Sequence, residues 1–196
     1  MAKKVLLALI ILSVASAGVF AQDGFIKATF GAGYSTMSLK YEVSGGGASG
    51  SGDIGKGSGL YLSTGADFVH STGITIGFKF NMQPDFKFTP KGLDEEKFDN
   101  QFFGMGIGYT LDGGQWCAGG KLLLAMPISV DDMNTGLDFG FGIDGTYWIL
   151  GNLGITGFFD FYYLSKKYED YQGYSGVTMK YSGPCMIFGI GVSLKF

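Results

Sequence analysis

Four lysines and four aspartates carry most of the chemistry this sequence could do. Lys27, Lys79, Lys121 and Lys195, with Asp67, Asp138, Asp144 and Asp160, stand in stretches otherwise made of Gly and apolar residues. All eight fall on the small-residue parity of alternating segments, so in a folded chain they share one face. Charges taken out of water must be paired, and four against four is neutral. The expected pairs are Lys27 with Asp67, Lys121 with Asp144, and Lys79 with Asp160 across the interior. Such a set is either a structural ion-pair network or the lining of a narrow water path.

Other chemistry has little to stand on. The sequence has 1 His, His70 in a short turn, so a Ser–His nucleophile and base are not expected. Zinc wants clustered His and Cys, and there are 2 Cys. Cys117 and Cys185 fall on different segments at different heights, so no disulfide is expected between them. No catalytic site, metal or cofactor is expected.

The elements that position these charges have a period of two, the signature of half-buried strands. In Ile74-Thr75-Ile76-Gly77-Phe78-Lys79-Phe80-Asn81-Met82 every even residue is large and apolar and every odd one is small or polar. Seven more segments follow the rule, beginning at Ile26, Leu60, Phe103, Trp116, Leu137, Leu153 and Met186. Each is about 9–12 residues long, the length a tilted strand needs to cross a bilayer. The connections 70–73, 112–115 and 149–152 are short. Those at 44–59, 84–101 and 165–184 are long, and 127–136 is intermediate. In the first segment the apolar parity changes near Ser35 and Thr36, which a bulge or an extension above the membrane would explain.

Composition says which solvent the apolar face meets. Gly accounts for 35 of 196 residues, aromatics for 16% and charged residues for only 16%. Disordered chains are aromatic-poor and highly charged. A net charge of −3 offers no basic footprint for nucleic acid. The alternative to a membrane barrel is a soluble, lipocalin-type barrel with its apolar face inside. Gly decides between them. On a solvated strand face it weakens the strand, whereas inside a narrow eight-stranded barrel it makes room for the few large side chains. The apolar face should therefore meet lipid, with Tyr109, Trp116 and Tyr147 forming an interfacial girdle near the short turns. The expected fold is all-β: an eight-stranded antiparallel up-and-down transmembrane β-barrel. A wide diffusion pore needs 16–18 strands, so it is excluded.

The chain begins with Lys3 and Lys4, an apolar run over 5–14, and small residues up to Ala21. This reads as an export signal over 1–21, leaving a barrel domain over 22–196. The last strand alternates through Val192 and Leu194 to a terminal Phe196. Signal, strand count, loop alternation and terminal Phe together resemble the small eight-stranded bacterial outer-membrane barrels of the OmpA/OmpX/OmpW-like class, with the Gly-rich interior leaning to OmpW-like. The resemblance implies outer-membrane lipid as solvent, both termini periplasmic, long loops extracellular, and Phe196 as an assembly signal read by the barrel-assembly machinery. It also implies one of two functions. The first is a narrow channel or lateral pathway for small molecules, hydrophobic ones among them. The second is a non-conducting surface protein serving envelope stability, adhesion or host interaction through its loops. The loops differ in character. Residues 44–52 are a flexible Gly/Ser run, 84–101 is of mixed charge, and the last carries Tyr168, Tyr171, Tyr174 and Tyr181 beside Lys166, Lys167 and Lys180, which could meet a host ligand or anionic lipid.

Overall fold

The structure, a computed structural model, describes residues 23–90, 95–127, 137–168 and 177–196. The stretch 1–21 expected to be an export signal, and Tyr171 and Tyr174 of the last loop, lie outside the described residues. Eight strands follow one another: β1 (Gly24–Gly45), β2 (Ala48–His70), β3 (Ile74–Pro90), β4 (Glu96–Asp112), β5 (Trp116–Pro127), β6 (Asp138–Leu150), β7 (Leu153–Tyr168) and β8 (Thr178–Lys195). Each pairs antiparallel with the next, and β8 pairs with β1 to close the barrel. Past β8 the seam is finished by two hydrogen bonds. The Ile26 N–H donates to the Phe196 carbonyl (3.0 Å), and the Phe196 N–H donates to the Ile26 carbonyl (2.9 Å). Closure leaves no unpaired edge, which is what a sheet needs in a solvent that offers no hydrogen bonds.

The alternation resolves as outside against inside. Ile107, Leu122 and Ile190 are 59%, 70% and 71% exposed, while the intervening small residues face the lumen. A lipocalin-type barrel would bury these residues, so the apolar face is the outer one and the fold is a transmembrane barrel. Tyr109, Trp116 and Tyr147 lie on that outer face beside the short turns, with Trp116 directly opposite Tyr147. The Gln115 side chain donates to the Tyr147 hydroxyl (2.8 Å).

The strands run 12–23 residues, longer than the 9–12 expected from the apolar pattern. The reason is that the ladder continues above the apolar belt, where no greasy face marks it. Residues 44–59 are therefore not a long flexible loop. β1 and β2 stay paired as far as Gly45 opposite Ala48. The turn is Gly46-Gly47, whose φ angles of +59° and +81° suit Gly and the twist of a two-residue hairpin. Likewise β3 reaches Pro90 and β4 starts at Glu96, which reduces the 84–101 connection to a few residues.

The parity change near Ser35 is an extension rather than a bulge in β1. The ladder to β8 keeps one register from Lys27 to Ser44. Beyond Ser35 the outer face becomes polar (Thr36, Ser38, Lys40), while Met37 and Leu39 join an apolar cluster inside. The one-residue shift sits on β2, where Ile54 is skipped between Gly55 and Asp53.

Candidate functional site

The lumen is filled level by level. At the short-turn mouth the Lys195 ammonium reaches the Asp112 carboxylate (3.0 Å) and lies over the Phe25 ring (4.0 Å). Above it runs a belt of hydroxyls: Thr29 to Ser193 (2.7 Å), Ser193 to Thr156 (2.6 Å) and Thr156 to Thr146 (2.7 Å). These are short side chains on β1, β8, β7 and β6, and they link neighbouring strands as one chain of hydroxyls.

The next level holds four charges. Lys27 lies opposite Asp67 in the β1–β2 ladder, at 3.3 Å, and also contacts Asp144 from across the lumen. Lys121 reaches both Asp67 oxygens (2.7 Å each) and Asp144 (3.2 Å). Each lysine therefore touches both aspartates, and every contact is between opposite charges. Lys27 is only 1% exposed. Burying such charges is repaid only when geometry is good and lone pairs are satisfied, and the alternating square meets that condition. Glycine makes room for the square and for the neighbouring Asp160. A Cβ on Gly77 would sit 2.2 Å from an Asp67 oxygen, and one on Gly142 would sit 2.5 Å from an Asp160 oxygen.

A step further out, Lys79 crosses the lumen to Asp160 (2.6 Å), with its ammonium 5.1 Å from the Phe158 ring centre. Voids of about 30 Å³ and 10 Å³ adjoin these charges, space for one or two waters. Asp138 belongs to a different level. It lies six residues further out along β6 than Asp144, is buried, and accepts the Ser165 N–H (3.0 Å). The eight charges are thus divided between a central quartet, the Lys79–Asp160 pair, the Lys195 mouth and the outer Asp138. Cys117 and Cys185 are both buried, with free thiols.

Aromatic residues seal the outer half. Tyr61, Phe102, Phe158 and Tyr162 interlock, with Phe102 edge-on to Tyr162 at 5.5 Å between ring centres. The Tyr61 hydroxyl donates to Asn81 Oδ1. Phe86, Phe88, Leu123 and Ile187 extend the cluster. Phe158 and Leu123 could be read from sequence as exceptions on the small-residue parity. Phe86 and Phe88 could not, because their parity is reversed by an insertion just before them.

That insertion also interrupts the wall. In the β3–β4 ladder Gln83 pairs with Asn100, and the next pair is Phe86 with Phe98, so Pro84 and Asp85 are skipped. Pro84 has no N–H to donate, and Asp85 adopts φ +48°. On the other side the β2–β3 ladder jumps from Ser58–Lys87 to Leu62–Met82. Phe86 closes this gap from inside. It is fully buried, and its ring stands where a Cβ on Gly57 would be, 2.4 Å away.

No family model matches the chain, and no curated protein matches it. Among solved structures it is similar to the outer membrane protein OprG from Pseudomonas aeruginosa: 13% identity, 89% of this chain and 96% of that one, TM-score 0.64. It is also similar to the outer membrane protein AlkL as determined in lipid bilayers: 13% identity, 89% and 90% coverage, TM-score 0.51. The chain has the fold of the small outer-membrane barrels. At these identities the likeness concerns the fold, and the site must be read from its own residues.

Proposed function

We propose that this is a bacterial outer-membrane barrel that admits small apolar molecules at its outer half and releases them sideways into the membrane, without conducting through its lumen. The carrying observation is the wall interruption at Pro84–Asp85, stoppered by Phe86, above a lumen closed by the charged quartet. Water-soluble solutes meet buried ion pairs and aromatic rings on the axis. An apolar solute meets aromatic surface and a wall segment held by fewer ladder hydrogen bonds, beside which lipid offers a favourable sink. Both termini face the periplasm and the long hairpins face outward. Phe196 serves as the signal by which the barrel-assembly machinery recognises the chain.

Two measurements test this reading. Liposomes containing the refolded barrel should take up an apolar fluorescent probe faster than protein-free ones, and Phe86→Ala should speed uptake further by leaving the gap unstoppered. Equal uptake by the parent, Phe86→Ala and empty liposomes overturns the lateral route. It would favour the second reading, which the filled lumen also supports: a non-conducting surface protein acting through its loops. Deleting Phe196 should sharply lower the amount inserted in cells and barely change refolding into detergent, since two seam hydrogen bonds are a small part of the barrel's ladder. Equal insertion in cells would remove the assembly role.

A further inference from the structure

A cleft of about 490 Å³ crosses the outer surface of β8, β1, β2 and β3 just above the apolar belt. We propose that it is a binding site for the phosphorylated headgroup of an outer-leaflet glycolipid. The inference rests on the membrane orientation proposed above.

Lys56 and Lys87 supply the charge. They stand on adjacent strands, Lys56 opposite Thr89 and Ser58 opposite Lys87, so the two lysines hold diagonal positions across the ladder. Both are exposed. Diagonal positions are within reach of long side chains, so an anion lying between the two lysines can meet both. Among the described residues Lys56 makes no ion pair, and Lys87 meets the Glu95 carboxylate at 3.4 Å. That pair is about half exposed on each side, the kind that contributes little and exchanges readily. Thr36, Ser58 and Thr89 place hydroxyls along the same cleft, partners for sugar and phosphate oxygens.

The height of the cleft identifies a lipid rather than a dissolved anion. One step down each strand the outer face becomes apolar: Tyr34 below Thr36, Leu60 below Ser58, and Met186 opposite Thr36. Tyr34 marks the boundary itself. Its ring belongs to the belt, and its hydroxyl donates upward to Ser58 (2.7 Å). Tyrosines divided in this way sit at headgroup level. A ligand filling the cleft therefore has its anionic part between the lysines and its acyl chains against the belt below. A lysine near a membrane surface attracts an anionic headgroup by roughly 1 kcal/mol, about fivefold in occupancy.

The test uses the full barrel in nanodiscs of phosphatidylcholine with a minor share of diphosphoryl lipid A. The lipid retained by the protein is counted by mass spectrometry. The parent should be enriched in lipid A. Lys56→Gln and Lys87→Gln should each lower the enrichment about fivefold, while Glu95→Gln should raise it by freeing Lys87. Lys40→Gln, an exposed lysine outside the cleft that stands opposite Asp53, should leave it unchanged. Excess inorganic phosphate should displace little, because it cannot use the apolar belt. No enrichment in the parent, enrichment in both lysine variants as high as the parent's, or complete displacement by inorganic phosphate each overturns the glycolipid site. The heat-modifiable gel shift of a folded barrel is read on every sample. Its absence from the parent would overturn the membrane reading itself, and its presence in a lysine variant assigns lost enrichment to the cleft.

Discussion

Lys121 shows how little of the quartet is a matter of single pairs. Its ammonium serves Asp67 and Asp144 together, so removing it leaves Lys27 facing two carboxylates. Lys121→Met should cost about 3–5 kcal/mol, the penalty of an uncompensated buried charge. A second change should recover most of it, because one lysine then meets one aspartate. Lys121→Met with Asp67→Leu and Lys121→Met with Asp144→Leu should each recover it, since either leaves Lys27 with one carboxylate. Urea midpoints of the four proteins in liposomes check this. A single variant as stable as the parent would mean that water, not the second lysine, solvates these carboxylates. Parity alone places Lys27, Lys121, Asp67 and Asp144 on one face of their strands. It cannot give their shared geometry, because cross-lumen distances depend on barrel shear, which no local pattern encodes. Asp112 lies in the same blind spot: it ends a strand at a turn and meets Lys195 only once the barrel closes.

At the scale of the strand, the sequence is informative wherever one face meets lipid and silent above that level. The apolar halves of β3 and β4 alternate without exception, because a residue slipped onto the wrong face would present Lys or Gly to the hydrocarbon. Ile107 sits in the middle of that pattern at 59% exposure, opposite Ile76 and Leu122. Ile107→Arg should cost about 2–4 kcal/mol near the midplane, read as a lowered urea midpoint in liposomes. An unchanged midpoint would mean that this face does not meet hydrocarbon. Above the belt the outer face of β1 turns to Thr36, Ser38 and Lys40, and β2 becomes Gly/Ser-rich. Composition there resembles a linker, yet backbone pairing needs no apolar side chain and runs on to the Gly46-Gly47 turn. The shift at Pro84–Asp85 was hidden for a related reason. One inserted residue reverses the parity of everything after it, so Phe86 and Phe88 look like loop residues until the ladder is seen.

For the whole barrel, closure is double, and that determines what it can conduct. The quartet blocks the axis at one level, and the Tyr61, Phe102, Phe158 and Tyr162 cluster blocks it at the next. Eight strands leave an interior only about as wide as the side chains that fill it, so neither level leaves a path around its edge. Opening one level should therefore leave the other shut. In planar bilayers the parent should show no single-channel current, and neither should Phe158→Ala alone, because ions still meet the neutral, fully paired quartet. The double variant Lys121→Ser with Asp67→Ser should also stay silent, because the aromatic level remains. Only the combination of all three should conduct, through a water file lined by Lys27, Asp144, Lys79 and Asp160. Its reversal potential in a salt gradient should move towards anion preference when Asp144→Asn is added, since the lining then loses a negative charge and keeps its lysines. A conducting parent would show that the two levels are not closed at once, and the sideways route would lose its reason for existing.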